Sequence, residues 1–363
     1  MPGKQDSRNS LMYVRNCWYV AAWDYELGRA APMSRLILNE QIVLYRTAAG
    51  LAVAMEDRCC HRFAPLSRGR VEGDAIRCLY HGLKYARDGA CIEVPGQTAI
   101  PPGARVRTYP VLEKHNWLWV WMGDAALADA SLIPPVVGLA DPYWTLRSGQ
   151  LDYQANYQLL NDNLTDFTHL SYLHVNSFGA PEEFALTRPN IERLERGLRF
   201  WRWIDTPSRP PLEAQDPAVA PQVDSWQTYD YLAPGVLVMR SGVYPKGSAA
   251  RFQRKPPDSS IVPLTERVTS QAVTPMTDKT TRYFFSAGTP VGPGSEDQAD
   301  RMLKIAAMAF DEDKQMIEAQ QAVIDRDPGR KEMLIPADAG PVQMRRVLER
   351  LIAAERTAGE GTR

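Results

Sequence analysis

The sequence lacks a strong net charge and any long apolar run. Forty-two basic side chains nearly cancel forty-three acidic ones, so the formal charge of −1 excludes strong attraction to nucleic acid or an anionic membrane. No apolar run approaches the length of a membrane span, and residues 1–10 are polar and carry no export signal. We therefore expect a globular cytoplasmic protein with a flexible leader over residues 1–10 and small-molecule or protein partners.

Cysteine and histidine are also scarce. The number of cysteines, five, is odd, and a chain of this length does not need disulfide bonds to stabilise its fold. Metal ligation is therefore the better interpretation for some of them. Cys17 and Cys91 have no partner at metal spacing and are interpreted as core residues. The sequence has no Gly-rich nucleotide loop and no flavin signature, so we expect it to depend on another protein for electrons from NAD(P)H.

Two Cys-His pairs form the most specific pattern in the chain. Cys59 precedes His61, and after sixteen intervening residues Cys78 precedes His81. A common zinc finger groups its cysteines first and its histidines second, whereas each loop here supplies one thiolate and one imidazole. That alternation is typical of a Rieske 2Fe–2S centre, with zinc binding and no metal as the alternatives.

Several neighbours of these pairs have simpler interpretations. Cys60 directly follows a ligand and is interpreted as a small buried filler, and the isolated His115 as structural. Five arginines lie in and around these loops. They are either salt-paired loop residues or a basic patch that docks an acidic electron donor. They are Arg58, Arg62, Arg68, Arg70 and Arg77.

A second group of candidate ligands lies in the stretch NLTDFTHLSYLH, residues 163–174. On a regular helix His169 and His174 would be separated by about 140°, so they can share a metal only if the helix is unwound near residues 170–173. Asp166, three residues before His169, is close enough to orient its ring. The alternative is a buried helix with two hydrogen-bonded histidines.

A carboxylate to complete this site is predicted on a long helix over residues 297–327. Asp313 lies near the centre of its apolar stripe, whereas Asp311 points to the opposite side. A carboxylate in a buried stripe needs a cation, a metal or a proton, so Asp313 is the expected third ligand, with pairing to a basic side chain as the alternative. Two imidazoles and one carboxylate are the ligand set of non-heme Fe(II) oxygenases.

Strand and turn patterns predict an α+β protein of two domains. A small antiparallel β domain over residues 11–123 is followed by a linker, 124–140, a second domain, 141–356, and a disordered tail, 357–363. The proline-rich stretch 205–223 is predicted to be a long loop covering a substrate pocket. Strands are expected at 35–38, 41–45, 51–55, 116–122, 144–151, 198–204, 225–231, 236–244, 268–273 and 281–287. A helix that begins near residue 155 is expected to carry the iron motif, and a last helix is expected at 341–355.

At these residues the chain resembles the Rieske non-heme iron oxygenases, in particular the group of vanillate O-demethylase and dicamba monooxygenase. The resemblance covers nearly the whole chain. It is carried by NCWYVAAW, CCHRFAPLSRG, CLYHG, NLTDFTHLSYLH, FDEDKQMIEAQQ and DAGPVQMRRVLERLIAAE. It implies a Rieske domain, a catalytic domain of helix-grip type and a homotrimer. It assigns the cluster to Cys59, His61, Cys78 and His81, and the mononuclear iron to His169, His174 and Asp313.

The resemblance also implies a path for electrons. In this family they cross to the neighbouring subunit through an aspartate that matches Asp166 and bridges the counterparts of His81 and His169. Asn163 matches a residue near the iron. Cys60 stands where the family commonly has proline, and the stretch 205–223 differs from the vanillate enzymes, which leaves the substrate open.

These observations predict the oxygenase component of a multi-component monooxygenase. We expect O-demethylation of a methoxylated aromatic compound with O2, releasing formaldehyde, with electrons from an NAD(P)H-dependent reductase, with or without a ferredoxin. Alternatives are hydroxylation of an aryl methyl, an N-alkyl group or the ring, or a Rieske electron-transfer or regulatory protein without oxygen chemistry. Arg240 could meet a substrate carboxylate, although pairing with an acidic neighbour is the simpler expectation.

Overall fold

The computed structural model describes residues 13–206 and 222–360, and these form two compact units. The first lies within Met1–Ile133, Thr274–Asp278 and Ala354–Arg363, and the second within Pro134–Val273 and Lys279–Ala353. The predicted leader 1–10, the central part of the predicted pocket-covering loop, 207–221, and residues 361–363 of the predicted tail lie outside the described residues.

The first unit is built from three small antiparallel sheets. Their orders are β1-β11-β10, β2-β3-β4-β9 and β5-β6-β7-β8. The strands are β1 (Trp18–Trp23), β2 (Met33–Ile37), β3 (Glu40–Arg46), β4 (Ala52–Glu56), β5 (Arg70–Glu72), β6 (Ala75–Arg77), β7 (Lys84–Tyr85), β8 (Cys91–Glu93), β9 (Thr108–Tyr109), β10 (Val111–Lys114) and β11 (Trp117–Trp121).

Strand β11, which lies within the strand predicted at 116–122, is buried on both of its faces. Trp117, Trp119 and Trp121 are at most 1% exposed on one face, and Leu118 and Val120 are fully buried on the other. A fully buried aromatic side chain contributes about 1.5–3 kcal/mol. These tryptophans therefore belong to the core.

The turn between β2 and β3 lies one residue before residues 39–40, the gap between the strands predicted at 35–38 and 41–45. Ile37 pairs with Glu40, so the turn residues are Leu38 and Asn39 rather than Asn39 and Glu40. Both have positive φ, 51° and 65°. This is the backbone of a tight two-residue hairpin, which matches the right-handed twist of the strands and fixes their register.

The second unit contains one seven-stranded sheet in the order β12-β18-β17-β16-β15-β14-β13. Each strand predicted here is present and extends beyond its predicted limits at one end or at both. The strands are β12 (Trp144–Tyr153), β13 (Asn190–Leu194), β14 (Gly197–Thr206), β15 (Val223–Leu232), β16 (Val236–Pro245), β17 (Thr265–Thr277) and β18 (Thr280–Pro290).

The described part of the chain also contains five α-helices, three of which contact this sheet, and this confirms the α+β class. They are α1 (Tyr157–Thr165), α2 (Glu183–Leu186), α3 (Ser248–Arg251), α4 (Ser295–Arg326) and α5 (Ala339–Glu360). The long α4 contacts β12 and β18 and buries the predicted stripe, including Met302, Ala306 and Ile317. Helix α5 continues to Glu360, so residues 357–360 are helical and the prediction of a disordered tail is wrong for them. Within the described residues, no helix has the length and apolar character to span a membrane.

Candidate metal centres

The two Cys-His pairs lie in the loops that follow β4 and β6. Cys59 and Cys78 are buried, at 2% and 1% exposure, whereas His61 and His81 are exposed. The two imidazole rings lie side by side, with 4.6 Å between their centroids. The structure thus separates one sulfur pair inside the unit from one imidazole pair at its surface.

The two loops have the same backbone geometry. In each, the cysteine N–H donates to the carbonyl five residues on, and the N–H four residues on donates back to the cysteine carbonyl. The pairs are Cys59 with Ala64 (2.9 Å) and Phe63 (3.0 Å), and Cys78 with Leu83 (2.8 Å) and Gly82 (3.0 Å). Phe63 and Gly82 both have positive φ, 59° and 79°, and Phe63 adopts it at a steric cost. Two matched loops facing each other fit a two-iron cluster.

The chemistry of the four side chains also fits a cluster. Burial raises the pKa of Cys78, and the neighbouring Cys59 raises it further. Desolvation and then the neighbouring His61 lower the pKa of His81. Like groups held this close are stable when a metal accepts the sulfur and nitrogen lone pairs. The hydroxyl of Tyr85 lies 3.0 Å from the Cys59 sulfur, close enough to donate a hydrogen bond to it.

Most of the remaining cysteines and loop arginines have the simpler role expected from the sequence, which is packing for the cysteines and ion pairing for the arginines. Cys17 and Cys91 are core residues, and the half-buried Cys60 lies 3.2 Å from the Tyr85 hydroxyl. Three of the five loop arginines form ion pairs: Arg58 with Glu56, Arg70 with Glu72, and Arg77 with Glu72 and Glu93. Arg77 also donates to the carbonyl of Gly82, 2.7 Å away, next to His81.

In the second unit, the chain leaves helix α1 before it reaches the histidines. The helix ends at Thr165, four residues before His169, which lies in a single 3-10 turn, and His174 follows in a loop. The predicted continuous helix is therefore wrong here, but the unwinding that two convergent imidazoles require is present. The ring centroids of His169 and His174 are 5.2 Å apart.

Both imidazoles converge on a carboxylate from α4. The Nε2 atoms of His169 and His174 lie 3.7 and 3.3 Å from Oδ1 of Asp313. Candidate ligand atoms of the three residues all lie within 4.8 Å of one another. Among the described residues, no lysine or arginine forms an ion pair with Asp313, so the alternative of a basic partner is not observed. His169, His174 and Asp313 could hold an iron ion.

Polar neighbours position these ligands. Asn163 donates from Nδ2 to Oδ1 of Asp313 at 2.8 Å. Glu312 accepts at one oxygen from Nδ1 of His174, 2.9 Å away, and from the Ser177 hydroxyl, 2.6 Å away. A carboxylate bound to the far nitrogen of a ligating imidazole fixes its tautomer and orientation. Burial lowers the pKa of His174, but hydrogen bonds to Asp313 and Glu312 outweigh it, so the pKa is raised.

Sequence reasoning missed Glu312 and Ser177. Glu312 stands between Asp311 and Asp313, and nothing in the sequence indicates that its carboxylate also reaches an imidazole.

Asp166 does not orient His169 as expected. Its Oδ1 accepts from the backbone N–H and the hydroxyl of Thr168, at 2.8 and 2.7 Å. Nδ1 of His169 is buried and has no hydrogen-bond partner among the described residues. Burial is the main cause that lowers the pKa of His169, opposed by the charges of Asp313 and Asp166.

The three candidate ligands open onto a cavity of about 220 Å³ within the second unit. Its walls are largely apolar, with Phe178, Phe184, Leu237 and Met239 among them. Such a cavity can enclose a small aromatic molecule. Arg240 is exposed and does not line the cavity, so its suggested contact with a substrate carboxylate is wrong.

Comparison with known proteins matches both units. Residues 17–110 match the Rieske [2Fe-2S] domain model, and residues 153–354 match the vanillate O-demethylase oxygenase C-terminal domain model. These domains, together with the two-histidine, one-carboxylate site, define a Rieske non-heme iron oxygenase. The chain belongs to the family of oxygenase components that contains vanillate O-demethylase.

Individual relatives cover nearly the whole chain. The iron-sulfur subunit of the toluene-4-sulfonate monooxygenase system of Comamonas testosteroni is 40% identical over 347 residues, which is 95% of this chain and 98% of the relative. The vanillate O-demethylase oxygenase subunit of a Pseudomonas species is 34% identical and covers 89% of this chain and 97% of its own. The crystal structure of dicamba monooxygenase bound to dicamba has a TM-score of 0.83 at 30% identity, with coverage of 95% and 99%.

Proposed function

We propose that this chain is the terminal oxygenase that removes a methyl group from a methoxylated aromatic acid. The observation that carries the proposal is the convergence of His169, His174 and Asp313 at the wall of an apolar cavity of about 220 Å³. In the proposed enzyme these three residues hold the mononuclear iron. Cys59, His61, Cys78 and His81 hold the Rieske cluster.

When bound, the iron activates O2 and the cluster supplies it with electrons. The chain's own residues position and enclose the reactants. Asn163 and Glu312 hold a ligating carboxylate and a ligating imidazole in place, and the apolar wall limits the entry of water. One oxygen atom of O2 enters the methoxy carbon to give a hemiacetal, which collapses to formaldehyde and a phenol. The other leaves as water after it takes up two protons and two electrons, and these electrons originate from NAD(P)H.

The electrons come from a separate NAD(P)H-dependent reductase, with or without a ferredoxin, and we place the system in the cytoplasm. We further propose that the enzyme is a homotrimer in which Asp166 bridges subunits for electron transfer. Asp166 is only half-buried, and its Oδ2 has no hydrogen bond with the described residues. Asp166→Asn is expected to retain both metals and to slow electron transfer in a single turnover. An unchanged rate in that experiment argues against the bridge.

Hydroxylation of an aryl methyl group is the second candidate reaction. It is favoured by the 40% identity with the toluene-4-sulfonate monooxygenase subunit, which exceeds the 34% identity with the vanillate enzyme. The same cavity suits both reactions, since each oxidises a methyl carbon attached to an aromatic substrate. The products separate them, because only demethylation releases formaldehyde.

The test is a screen of methoxylated and methylated aromatic acids for stimulated O2 uptake by the metal-loaded enzyme with a competent reductase. Demethylation predicts formaldehyde and a phenol in equal amounts, and methyl hydroxylation predicts a benzylic alcohol labelled from ¹⁸O2. A normal Rieske spectrum without substrate-dependent O2 uptake across the panel would overturn the oxygenase proposal and favour an electron-transfer or regulatory role.

A further inference from the structure

The short helix α1 ends where the candidate iron site begins. Its residue Asn163 donates from Nδ2 to Oδ1 of Asp313 at 2.8 Å, and the helix stops at Thr165, four residues before His169. A helix of nine residues is only marginally stable by itself in water, so contacts with neighbouring elements must fix its orientation. The position of the Asn163 amide therefore depends on what packs against α1.

Helix α5 packs directly against the end of α1. Gly340, in the first turn of α5, is so close to α1 that a Cβ atom at this position would lie 2.3 Å from the carbonyl oxygen of Thr165. The same atom would lie 3.1 Å from the ring of Phe200 in β14. A residue without a side chain is needed where two backbone segments approach this closely. The contact occurs at the last residue of α1, just before the loop that carries the histidines.

An ion pair joins the same two helices. Arg345 of α5 donates from Nε to Oδ1 of Asp162 at 2.9 Å, and from Nη2 to Oδ2 of the same carboxylate. Two parallel bonds between a guanidinium and a carboxylate fix the orientation of both groups. Because Asp162 directly precedes Asn163, the pair holds α1 one residue away from the amide that reaches Asp313.

Arg345 is held in turn by Glu332, which lies between α4 and α5. Glu332 accepts from Nη1 of Arg345 at 2.8 Å. Helix α4 also carries Asp313, one of the candidate iron ligands. Helices α1 and α4 are therefore connected twice, once at the site by Asn163 and once outside it through Arg345.

Burial makes the pair of Asp162 and Arg345 important for the local structure. The two side chains are 16% and 32% exposed. Burial raises the pKa of Asp162, and the hydrogen bonds and charge of Arg345 oppose this effect. Without the guanidinium the carboxylate would be an uncompensated charge in a largely buried position, and α1 would have to shift to bring it into water.

Both contacts with α1 come from one stretch of sequence, DAGPVQMRR at residues 338–346, which contains none of the candidate metal ligands. We infer that Gly340 and Arg345 are positioning residues of the iron site. They fix the end of α1, and α1 aims the Asn163 amide at Asp313. The inference rests on the proposed mononuclear iron site and adds residues outside it that determine its geometry.

The first test measures iron retention in the metal-loaded enzyme. Arg345→Met removes both bonds to Asp162 and is expected to release mononuclear iron to a chelator about 5- to 10-fold faster than the wild type, a smaller effect than loss of a direct partner of a ligand. Arg345→Lys keeps the charge without the paired bonds and should lie between the two. Arg346→Met removes the charge of the exposed next residue and should not change the rate. Cluster absorbance is the internal reference.

A double-mutant cycle with Asn163 distinguishes positioning from a general loss of stability. Asn163→Ala removes the bond to Asp313 and is expected to speed iron loss by about 10- to 100-fold. If Arg345 acts through Asn163, the double variant should lose iron no faster than Asn163→Ala alone, whereas independent sites have multiplicative effects. The Mössbauer spectrum of ⁵⁷Fe placed only in the mononuclear site should also change in the same direction in both single variants. All rates are measured below the melting temperature of the least stable variant.

Gly340→Ala tests the packing contact separately. The added Cβ would overlap the Thr165 carbonyl oxygen, so α5 or the end of α1 must move, and iron loss is expected to be about 5- to 10-fold faster. Gly329→Ala is the matched control, because a Cβ at that position would meet no atom within 4 Å. If Gly340→Ala does not fold, the cycle of Arg345 and Asn163 still decides.

The outcomes separate this inference from the proposed function. Multiplicative effects in the cycle would overturn it. So would an Arg345→Met variant that melts at a lower temperature but keeps the wild-type rate of iron loss and the wild-type Mössbauer spectrum, since the ion pair would then be structural only. In both cases iron binding by the wild type leaves the proposed function standing. A wild-type chain that binds no mononuclear iron would refute the proposed function and the inference with it.

Discussion

The cluster loops and the iron site place similar ligand types in opposite surroundings. In the cluster loops the imidazoles of His61 and His81 are exposed and the thiols lie behind them. In the iron site the imidazole of His174 is 1% exposed, and the carboxylate of Asp313 is buried beside it. An exposed imidazole edge suits electron exchange with another protein, whereas an enclosed site keeps water from a reactive centre.

The two regions also differ in how the chain assembles them. Each cluster loop is a local hairpin stabilised by two hydrogen bonds of its own backbone. The iron site joins a loop after α1 to a residue of α4 more than a hundred positions later. A local site depends on its own turns, whereas a distributed site depends on contacts between elements, so the two should respond differently to substitution.

The largest expected effect comes from Asp313→Ala. Removal of the only carboxylate among the three candidate ligands should abolish mononuclear iron binding and lower turnover by more than about 100-fold. This loss of activity is larger than the loss typical of residues that only hydrogen-bond to a metal ligand. The Rieske absorption spectrum should not change. Asp311→Ala, at an exposed position of the same helix, is the control. An active variant that retains its mononuclear iron would contradict the assignment.

Glu312→Ala tests whether contacts between elements hold the iron site together. It removes the acceptor of His174 Nδ1 and the Ser177 hydroxyl, and should weaken mononuclear iron binding by about 10- to 100-fold. The measurement is the rate of iron loss to a chelator, with cluster absorbance as an internal reference. Glu312→Gln should restore part of the affinity because it keeps an acceptor oxygen. Equal iron loss from wild type and Glu312→Ala would show that His174 needs no support.

In the cluster loops, Tyr85→Phe should change the reduction potential without removing metal. The Tyr85 hydroxyl lies 3.0 Å from the Cys59 sulfur, and a hydrogen bond of about 1 kcal/mol corresponds to roughly 40 mV for one electron. The hydrogen bond stabilises the reduced cluster, so the potential should fall, as measured by spectroscopic redox titration. Cys60→Ala is the matched control and should leave the spectrum unchanged. A potential that stays constant in Tyr85→Phe would mean that the hydroxyl does not interact with the cluster.

The smallest effect is expected from Arg77→Gln. This change removes two ion pairs and the hydrogen bond to the Gly82 carbonyl, at a cost of about 1 kcal/mol. Thermal loss of cluster absorbance should begin at a lower temperature, while iron binding at the other site stays normal. Arg70→Gln, which removes an exposed partner of the same Glu72, should have almost no effect. Identical behaviour of the two variants would assign the stability of this loop to its backbone alone.

Much of the first unit could be predicted from the sequence because its determinants are local. The Cys-His spacing and the alternation of tryptophans in β11 act over a few positions, and the turn between β2 and β3 was predicted to within one residue. The shared backbone geometry of the loops was not predictable, since Phe63 stands at a positive φ where glycine is the usual signal.

The iron site was predictable only in part. Helical periodicity placed Asp313 on a buried stripe, and its burial is confirmed. The end of α1 at Thr165 was missed, because the pattern of the following residues does not distinguish a helix from a 3-10 turn and a loop. The ion pair of Asp162 and Arg345 joins residues that are far apart in the chain, and no local pattern specifies it.

The alternation of side chains along β16 has a consequence for how this enzyme could change. Met239, Ser241 and Val243 face the cavity from a strand that supplies none of the candidate iron ligands. Mutations at such positions can therefore reshape the pocket while the metal-binding elements keep their sequence. A library restricted to the inward positions of β15, β16 and β17 should yield altered substrate preference more often than loss of iron. Relatives could diversify in the same way.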